Sequence, residues 1–501
     1  MQDRPDQTSS LPGEAATQYP GFLTVFPSIM LPMFLAVVDQ TIVATALPAI
    51  AAATGEVERA SWIVVGYLIA STIAAPIYGR LGDVFGRRRL MFVALGVFIT
   101  TSLLCALSPT IELLTAARVL QGLGGGGLMT LSQALVGESI PPRERARYQG
   151  YLAAVAVSAN TFGPVAGGYL TQHFGWEWIF LVNLPIGLVA LVLTLRLPRR
   201  KPSQAHQWRA DPYGLVLFTV TVAAILLALE RAQRASLDSL PLAAALFVIG
   251  LIALALLIRQ EDRAASPLIP LGLLRMPAIW RSDAMAACHG GALVSFITFL
   301  PVYLEVVRGT SPSETGLLLV PLTIGIGTGS LITGRLVSRT GLTAVFPSFG
   351  FAMVTCSLVV IALWAPTLGG LAFTALLLWT GLFMGTVMAV VQVTVQSASG
   401  LHRLGEAAAS VQFSRSMGAA FGTALVACLL FAVLSLRNAE AAAAFARMVE
   451  EAGGAGPALS GPHAAAMLAD ITQAFRAAFL LMAGFTALGC LVALFHPLRR
   501  I

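Results

Sequence analysis

Long apolar stretches alternate with short polar ones along the whole chain. Fourteen runs reach roughly the length that carries a helix across a bilayer, about 20 residues. They lie at 22–50, 60–79, 89–108, 111–137, 146–171, 176–197, 212–230, 239–258, 277–305, 314–337, 342–364, 368–397, 405–435 and 471–496. This pattern predicts an all-α polytopic membrane protein with 14 transmembrane helices. A basic linker from Pro198 to Arg209 follows the sixth run, and after the eighth the chain from Arg259 to Met276 is polar at first and then amphipathic. One octet recurs. Gly79-Arg80-Leu81-Gly82-Asp83-Val84-Phe85-Gly86 follows the second run, and Gly334-Arg335-Leu336-Val337-Ser338-Arg339-Thr340-Gly341 follows the tenth. The repeat predicts two six-helix bundles, 22–197 and 277–496, around an inserted helix pair carried by 198–276. Tails at 1–21 and 497–501 and an outside loop at 436–470 complete the chain. Paired halves are the signature of a transporter whose substrate site lies between them near the bilayer midplane.

Composition agrees. Hydrophobic residues make up 57% of the 501 and charged residues only 11%, against about 25% charged in a soluble domain; mean hydropathy is +0.81. The net charge of +7 carries topology and not nucleic-acid binding. With the N-terminus inside, the predicted inner segments hold 21 Lys and Arg and the outer segments 6. That asymmetry places both termini in the cytoplasm of a protein of the cytoplasmic (inner) cell membrane. Residues 1–20 lack the features of a signal peptide and are expected to form a short cytoplasmic tail. Cys105, Cys288, Cys356, Cys428 and Cys490 all lie inside apolar runs without metal-like spacing, as packing residues do. There is no Gly-Lys-Ser/Thr phosphate loop and no His, Cys or carboxylate cluster with ligand spacing. An enzyme, a metal site and ATP as energy source are therefore not expected. The Ala- and Gly-rich stretch 438–469 is too biased to carry a functional assignment.

Polar residues inside the runs are the candidates for function. Asp39 lies mid-run, where a carboxylate costs about 2.5–3.5 kcal/mol. It is either a proton-responsive site or a lock between helices. Arg118 in the fourth run poses the same choice. Counted at about 1.5 Å per residue, Arg118 lies roughly 10 Å and Asp39 about 17 Å below the outer surface, so a long Arg side chain closes much of the gap. The octet with its continuation, Gly79, Arg80, Asp83, Gly86, Arg87 and Arg88, predicts a tight inner turn. There Asp83 meets a helix N-terminus or an Arg and forms a cytoplasmic gate; plain topogenic charge is the alternative. Gly163, Pro164, Gly167 and Gly168 in the fifth run predict a kinked helix whose glycines allow a close, bendable seam. Gln121, Asn160, His289 and Gln392 are candidates for the substrate cavity. His289 titrates near physiological pH if it is hydrated, and a packed neutral His is the other reading. Asp283, six residues before it, faces another side of the helix, and Glu406 and Arg415 suit gate or loop contacts.

Taken together, these stretches resemble the major facilitator superfamily, in its fourteen-helix drug/proton antiporter branch, over nearly the whole chain. The loop motif is matched by Gly79, Leu81, Gly82, Asp83, Gly86, Arg87 and Arg88, with Val84 at a position that is usually basic. The fourth-helix motif is matched by Arg118, Gln121 and Gly122. The antiporter motif is matched by Gly163, Pro164, Gly167 and Gly168, with Ala159 at its first small position. The first-helix pattern is matched by Asp39, Thr41, Val43, Ala46, Leu47 and Pro48, with Ala44 in place of a common Asn, and Trp178 to Gly187 also looks like this branch. The resemblance implies a proton-driven exporter of amphipathic, often cationic, compounds that needs no cofactor beyond the proton gradient. It implies proton coupling at Asp39 and Arg118, an inner gate at Asp83, Arg87 and Arg88, and exchange through Gly163 to Gly168. Its partners would be a small-molecule substrate, protons and the lipid bilayer, with a periplasmic adaptor left open and no nucleic acid. Two alternatives stand beside it: a same-fold transporter or flippase for a native lipid, siderophore or metabolite, and a membrane receptor or scaffold without a transport cycle.

Overall fold

The computed structural model describes residues 22–56, 59–197, 211–233, 240–264, 267–268, 271–443, 445 and 464–500. The tail 1–21, the linker segment 198–210 and most of the predicted outside loop lie outside the described residues. The helices of the first half are α1 (Phe22–Thr54), α2 (Ser61–Phe85), α3 (Arg87–Ala106), α4 (Ile111–Ser139), α5 (Pro142–Phe174), α6 (Trp178–Leu181) and α7 (Asn183–Thr194). Then come α8 (Pro212–Gln233), α9 (Leu240–Glu261) and the single turn α10 (Leu271–Leu274). The second half comprises α11 (Pro277–Val306), α12 (Pro312–Thr340), α13 (Val345–Trp364), α14 (Gly370–Ser399), α15 (Leu404–Arg437) and α16 (Ala464–Leu494).

Every predicted run is helical, and among the described residues eleven helices are long and apolar enough to cross a membrane. The other three runs fall short for different reasons. Helices α4 and α5 are long but diluted by polar and small residues: Arg118, Gln121 and the glycines in α4, and Ser158, Asn160, Pro164 and the glycines in α5. The sixth run is too short: it forms an apolar helix over only Trp178–Thr194, interrupted at Val182 between α6 and α7. Pro185 accounts for the break, because it lacks the amide that would bond the Leu181 carbonyl.

The octets also differ from expectation. The sequence predicts a turn over residues 79–86, yet α2 stays helical to Phe85 and α3 starts at Arg87. Only Gly86 turns the chain, at φ 96°. In the second half α12 runs to Thr340, and Gly341 at φ 71° ends it in the left-handed region. A residue with a Cβ pays to adopt such angles, and glycine does not. Arg80 and Asp83 therefore sit on a helix face instead of in a loop.

One apolar core runs through α1–α7, built on residues such as Leu35, Phe98, Leu128 and Phe180. A second runs through α11–α16, with Phe296, Tyr303, Phe475 and Phe479 at its centre. The inserted helices pack on each other, and α8 lies along both halves. Its Phe218 and Val222 join Ile73 of α2 and Phe413 of α15, and its Ile225 and Leu229 meet Ala424. The halves touch chiefly through α2 with α15 and α5 with α12. Glycines permit this approach. A Cβ on Gly79 would stand 2.5 Å from the Gly405 carbonyl oxygen, and one on Gly334 would stand 2.5 Å from that of Ala146.

Candidate functional site

Asp39 is fully buried in α1, at 0% exposure. Its Oδ2 accepts from Arg118 Nη1 of α4 at 2.5 Å. Its Oδ1 accepts from Asn183 Nδ2 of α7 at 2.8 Å and from Gln121 Nε2 of α4 at 3.1 Å. The Gln121 amide also donates to Ser102 Oγ of α3 at 2.7 Å. Arg118, itself 1% exposed, donates to Gln121 Oε1 at 2.6 Å and to the Ile63 carbonyl of α2 at 3.4 Å. Its guanidinium lies 4.2 Å from the centre of the Tyr67 ring and 5.7 Å from that of Phe180. Both carboxylate oxygens are thus matched to donors, and five helices supply the partners. A carboxylate with both oxygens so matched tolerates burial; removing one charge of the pair strands the other. A proton on Asp39 would cancel the ion pair and leave the guanidinium to two carbonyls and an aromatic face.

The structure thus joins Asp39 to Arg118 and to Gln121. Gln121, expected in the substrate cavity, is spent on this cluster. Asn183, Ser102 and Tyr67 escaped the sequence reading. The signal for Asn183 was present, as an amide inside an apolar run, but nothing local told it from a packed Asn.

A second polar cluster joins the two halves where α2 meets α3. Asp83 Oδ1 accepts from the Gly405 amide at 2.9 Å and Oδ2 from the Glu406 amide at 3.0 Å. These amides belong to the first turn of α15, where backbone donors have no partner within the helix and the dipole favours an anion. Arg87 pairs with Asp83 and, at 2.5 Å, with Glu138 of α4, while Arg80 pairs with Glu406 across the halves. Gln396 Nε2 of α14 donates to the Gln133 carbonyl of α4 at 2.9 Å. Arg88 turns aside, donating to the Leu195 carbonyl at 2.8 Å. Glu406 therefore makes a contact across the halves, and Asp83 meets a helix N-terminus of the other half.

Among the remaining candidates, Gly163 and Gly167 pack against α1. A Cβ on Gly163 would stand 1.9 Å from Thr41 Oγ1, and one on Gly167 would stand 2.7 Å from the Ile42 carbonyl oxygen. Ala159, one turn earlier, is buried and extends this small-residue seam. Gly168 is off the seam, with nothing within 4 Å of a Cβ, and Pro164 is exposed. Gly167→Ala is accordingly expected to lower stability by about 1–3 kcal/mol through overpacking, whereas Gly168→Ala is not. Thermal unfolding of the two purified variants checks this, since both gain the same helix propensity; equal midpoints would refute the seam. Asn160 is exposed on α5, His289 is buried with Nε2 3.2 Å from the Met384 carbonyl, and Gln392 is buried on α14. None of the four cavity candidates hydrogen-bonds another among the described residues.

Comparison with known proteins places this arrangement. The family model for the Major Facilitator Superfamily matches residues 29–423. An uncharacterised MFS-type transporter of Mycobacterium tuberculosis (strain ATCC 25618 / H37Rv) is 32% identical over 479 residues, covering 94% of this chain and 69% of the relative. The multidrug transporter protein MdtP of Bacillus subtilis is 30% identical over 404 residues, 80% of this chain and 74% of the relative. Among solved structures, the human organic anion transporter MFSD10 shares the fold with a TM-score of 0.65 at 15% identity, covering 95% of this chain and 100% of that one. The chain therefore belongs to the Major Facilitator Superfamily, as a multi-pass membrane transporter and not an enzyme.

Proposed function

We propose that this transporter exports amphipathic or cationic compounds across the cytoplasmic membrane in exchange for protons. It has fourteen spans, both termini are cytoplasmic, and it works by alternating access between its halves. The observation that carries this reading is the buried Asp39–Arg118 pair, a titratable carboxylate held at 2.5 Å from a cation inside an apolar bundle. The multidrug transporter among its relatives supports the substrate class. In this reading the α2–α3 end is cytoplasmic, so the Asp83 and Arg80 contacts to α15 hold the inner side closed and the arrangement faces outward. A proton entering from outside neutralises Asp39. Arg118 then loses its counter-ion, and the five helices that the cluster ties together gain a different preferred packing. Proton and substrate favour different access states, and this differential binding couples their opposite movements. The proton gradient supplies the energy, and no cofactor takes part. A substrate-panel efflux assay with and without a protonophore tests the proposal. Efflux that collapses with the gradient is expected, and efflux that ignores the protonophore refutes it.

The pair also predicts a pH dependence. Arg118→Ala removes the cation that favours the Asp39 carboxylate, so the proton binds more readily. The pH profile of efflux should then move to higher pH. Arg118→Lys keeps the charge but loses the planar fork, and a smaller shift is expected. An unchanged profile in the Ala variant means that the two groups do not communicate in transport.

A further inference from the structure

Asp283 on α11 is a second buried carboxylate, 6% exposed, and it has none of the partners that Asp39 has. Its Oδ1 lies 3.2 Å from Ser410 Oγ of α15. Its Oδ2 has no hydrogen-bond partner among the described residues. The Ser410 hydroxyl is also 3.1 Å from the Ala407 carbonyl of its own helix, an acceptor that serine commonly uses within helices. A hydroxyl has one hydrogen to give. If it goes to the Ala407 carbonyl, Asp283 Oδ1 faces a lone pair and must itself be the donor. A carboxylic acid completes the chain: Asp283 donates to Ser410, and Ser410 donates to Ala407. A carboxylate would leave two buried oxygens sharing at most one donor, which is costly.

No charged side chain bonds Asp283 among the described residues; those on the elements packed against α11 bond other groups or, like Arg476 of α16, are exposed. On α11, Arg281 bonds the Phe495 carbonyl and His289 bonds that of Met384. On α15, Glu406 pairs with Arg80, and Arg415 donates to Gln412 Oε1 at 3.4 Å. Helix α14 carries no titratable side chain from Gly370 to Ser399, and α10 carries none from Leu271 to Leu274. Beyond the end of α16, His496 bonds Ser282 and the Ala278 carbonyl, and within it Asp470 pairs with Arg437 and Cys490 bonds the Ser348 carbonyl. On α12, Glu314 closes the capping box with Ser311, and Arg335 and Arg339 are exposed. We propose that Asp283 is a second proton-binding site, in the C-terminal half, and that it holds a proton in the arrangement that joins α2 to α15.

The position gives this proton a consequence. Ser410 lies one turn beyond Glu406, on the helix whose first amides are bound by Asp83. Ionising Asp283 draws the Ser410 hydrogen away from its helix and adds a buried negative charge beside α15. Both effects disfavour the joined state, so loss of this proton favours its opening. The site goes beyond the exchange proposed at Asp39 and does not depend on it.

Infrared difference spectroscopy of the purified full-length protein tests the assignment, with the wild type compared to Asp283→Asn at neutral pH. A carboxylic-acid C=O band that is lost in Asp283→Asn is expected, and it should give way to carboxylate bands as the pH rises. Ser410→Ala removes the hydroxyl that accepts this proton, so the band should shift in that variant. It should persist in Asp39→Asn. A difference spectrum at neutral pH that contains only carboxylate bands overturns the proposal. Should Asp283→Asn not fold, Ser410→Ala carries the test, and an unmoved carboxylic-acid region overturns it. Efflux without protonophore sensitivity would defeat the antiport reading while leaving the infrared band in place, so the two ideas fail separately.

Discussion

Asp39→Asn is expected to abolish proton-dependent efflux and also to destabilise the protein. The substitution keeps the shape of the side chain but removes the one carboxylate that, among the described residues, pairs with Arg118, which is 1% exposed. Breaking a buried pair by removing one partner costs about 3–5 kcal/mol, because the remaining charge is uncompensated. Replacing both charges is often close to neutral, so Asp39→Asn with Arg118→Gln should recover most of the lost thermal stability. It should not recover coupling, because no group in the cluster is left to bind the proton. Thermal unfolding in detergent and efflux from proteoliposomes with an imposed pH gradient read the two properties separately. This comparison separates proton coupling from a pure helix lock, the alternative that full burial of the cluster would also satisfy. Proton-driven efflux restored in the double variant would show that the pair only holds α1, α4 and α7 together.

The second large effect is expected at Asp83. In Asp83→Asn one oxygen remains to accept from the α15 amides at Gly405 and Glu406, and the charge that faced the helix N-terminus and Arg87 is gone. Hydrogen bonds to a charged group contribute about 1.5–3 kcal/mol, and each 1.4 kcal/mol is a factor of about ten in an equilibrium. The ratio of closed to open at this end should therefore fall about 10- to 100-fold. Arg87 keeps Glu138, and Arg80 keeps Glu406, so the variant should fold and insert, and should export slowly instead of losing activity outright. Labelling of a cysteine introduced into the vestibule at the α2–α3 end, in a background without the native cysteines, reports the opening. If the cysteine reacts no faster in Asp83→Asn than in its parent, Asp83 is not a latch.

The bilayer explains which of these features could be read without coordinates. Every apolar run from the first to the last is helical because a chain in hydrocarbon must satisfy its own backbone hydrogen bonds. That demand is local, so length and apolarity reveal it. Asp39 and Arg118 stood out for the same reason: a charge inside such a run is costly wherever it goes. Their depths, counted along two helices, left a gap that a long Arg side chain largely closes. The octet repeat likewise marked two halves, and its lone carboxylate, Asp83 against Ser338, pointed to a contact made by one half only. What needed the tertiary structure were choices among equals. Asn183 stands 144 positions from Asp39, and an amide in an apolar run looks alike whether it packs or binds. A lone Gln inside a span suits a substrate cavity or a helix contact equally, and only the packing of α1 and α3 brings Asp39 and Ser102 to Gln121. The octet's glycines suit a tight turn as well as a helix end, whereas the α15 amides make a helical Asp83 the better partner. Asp283 and Ser410 stand 127 positions apart, so the shared hydroxyl that requires a proton appears only when α11 and α15 are packed together.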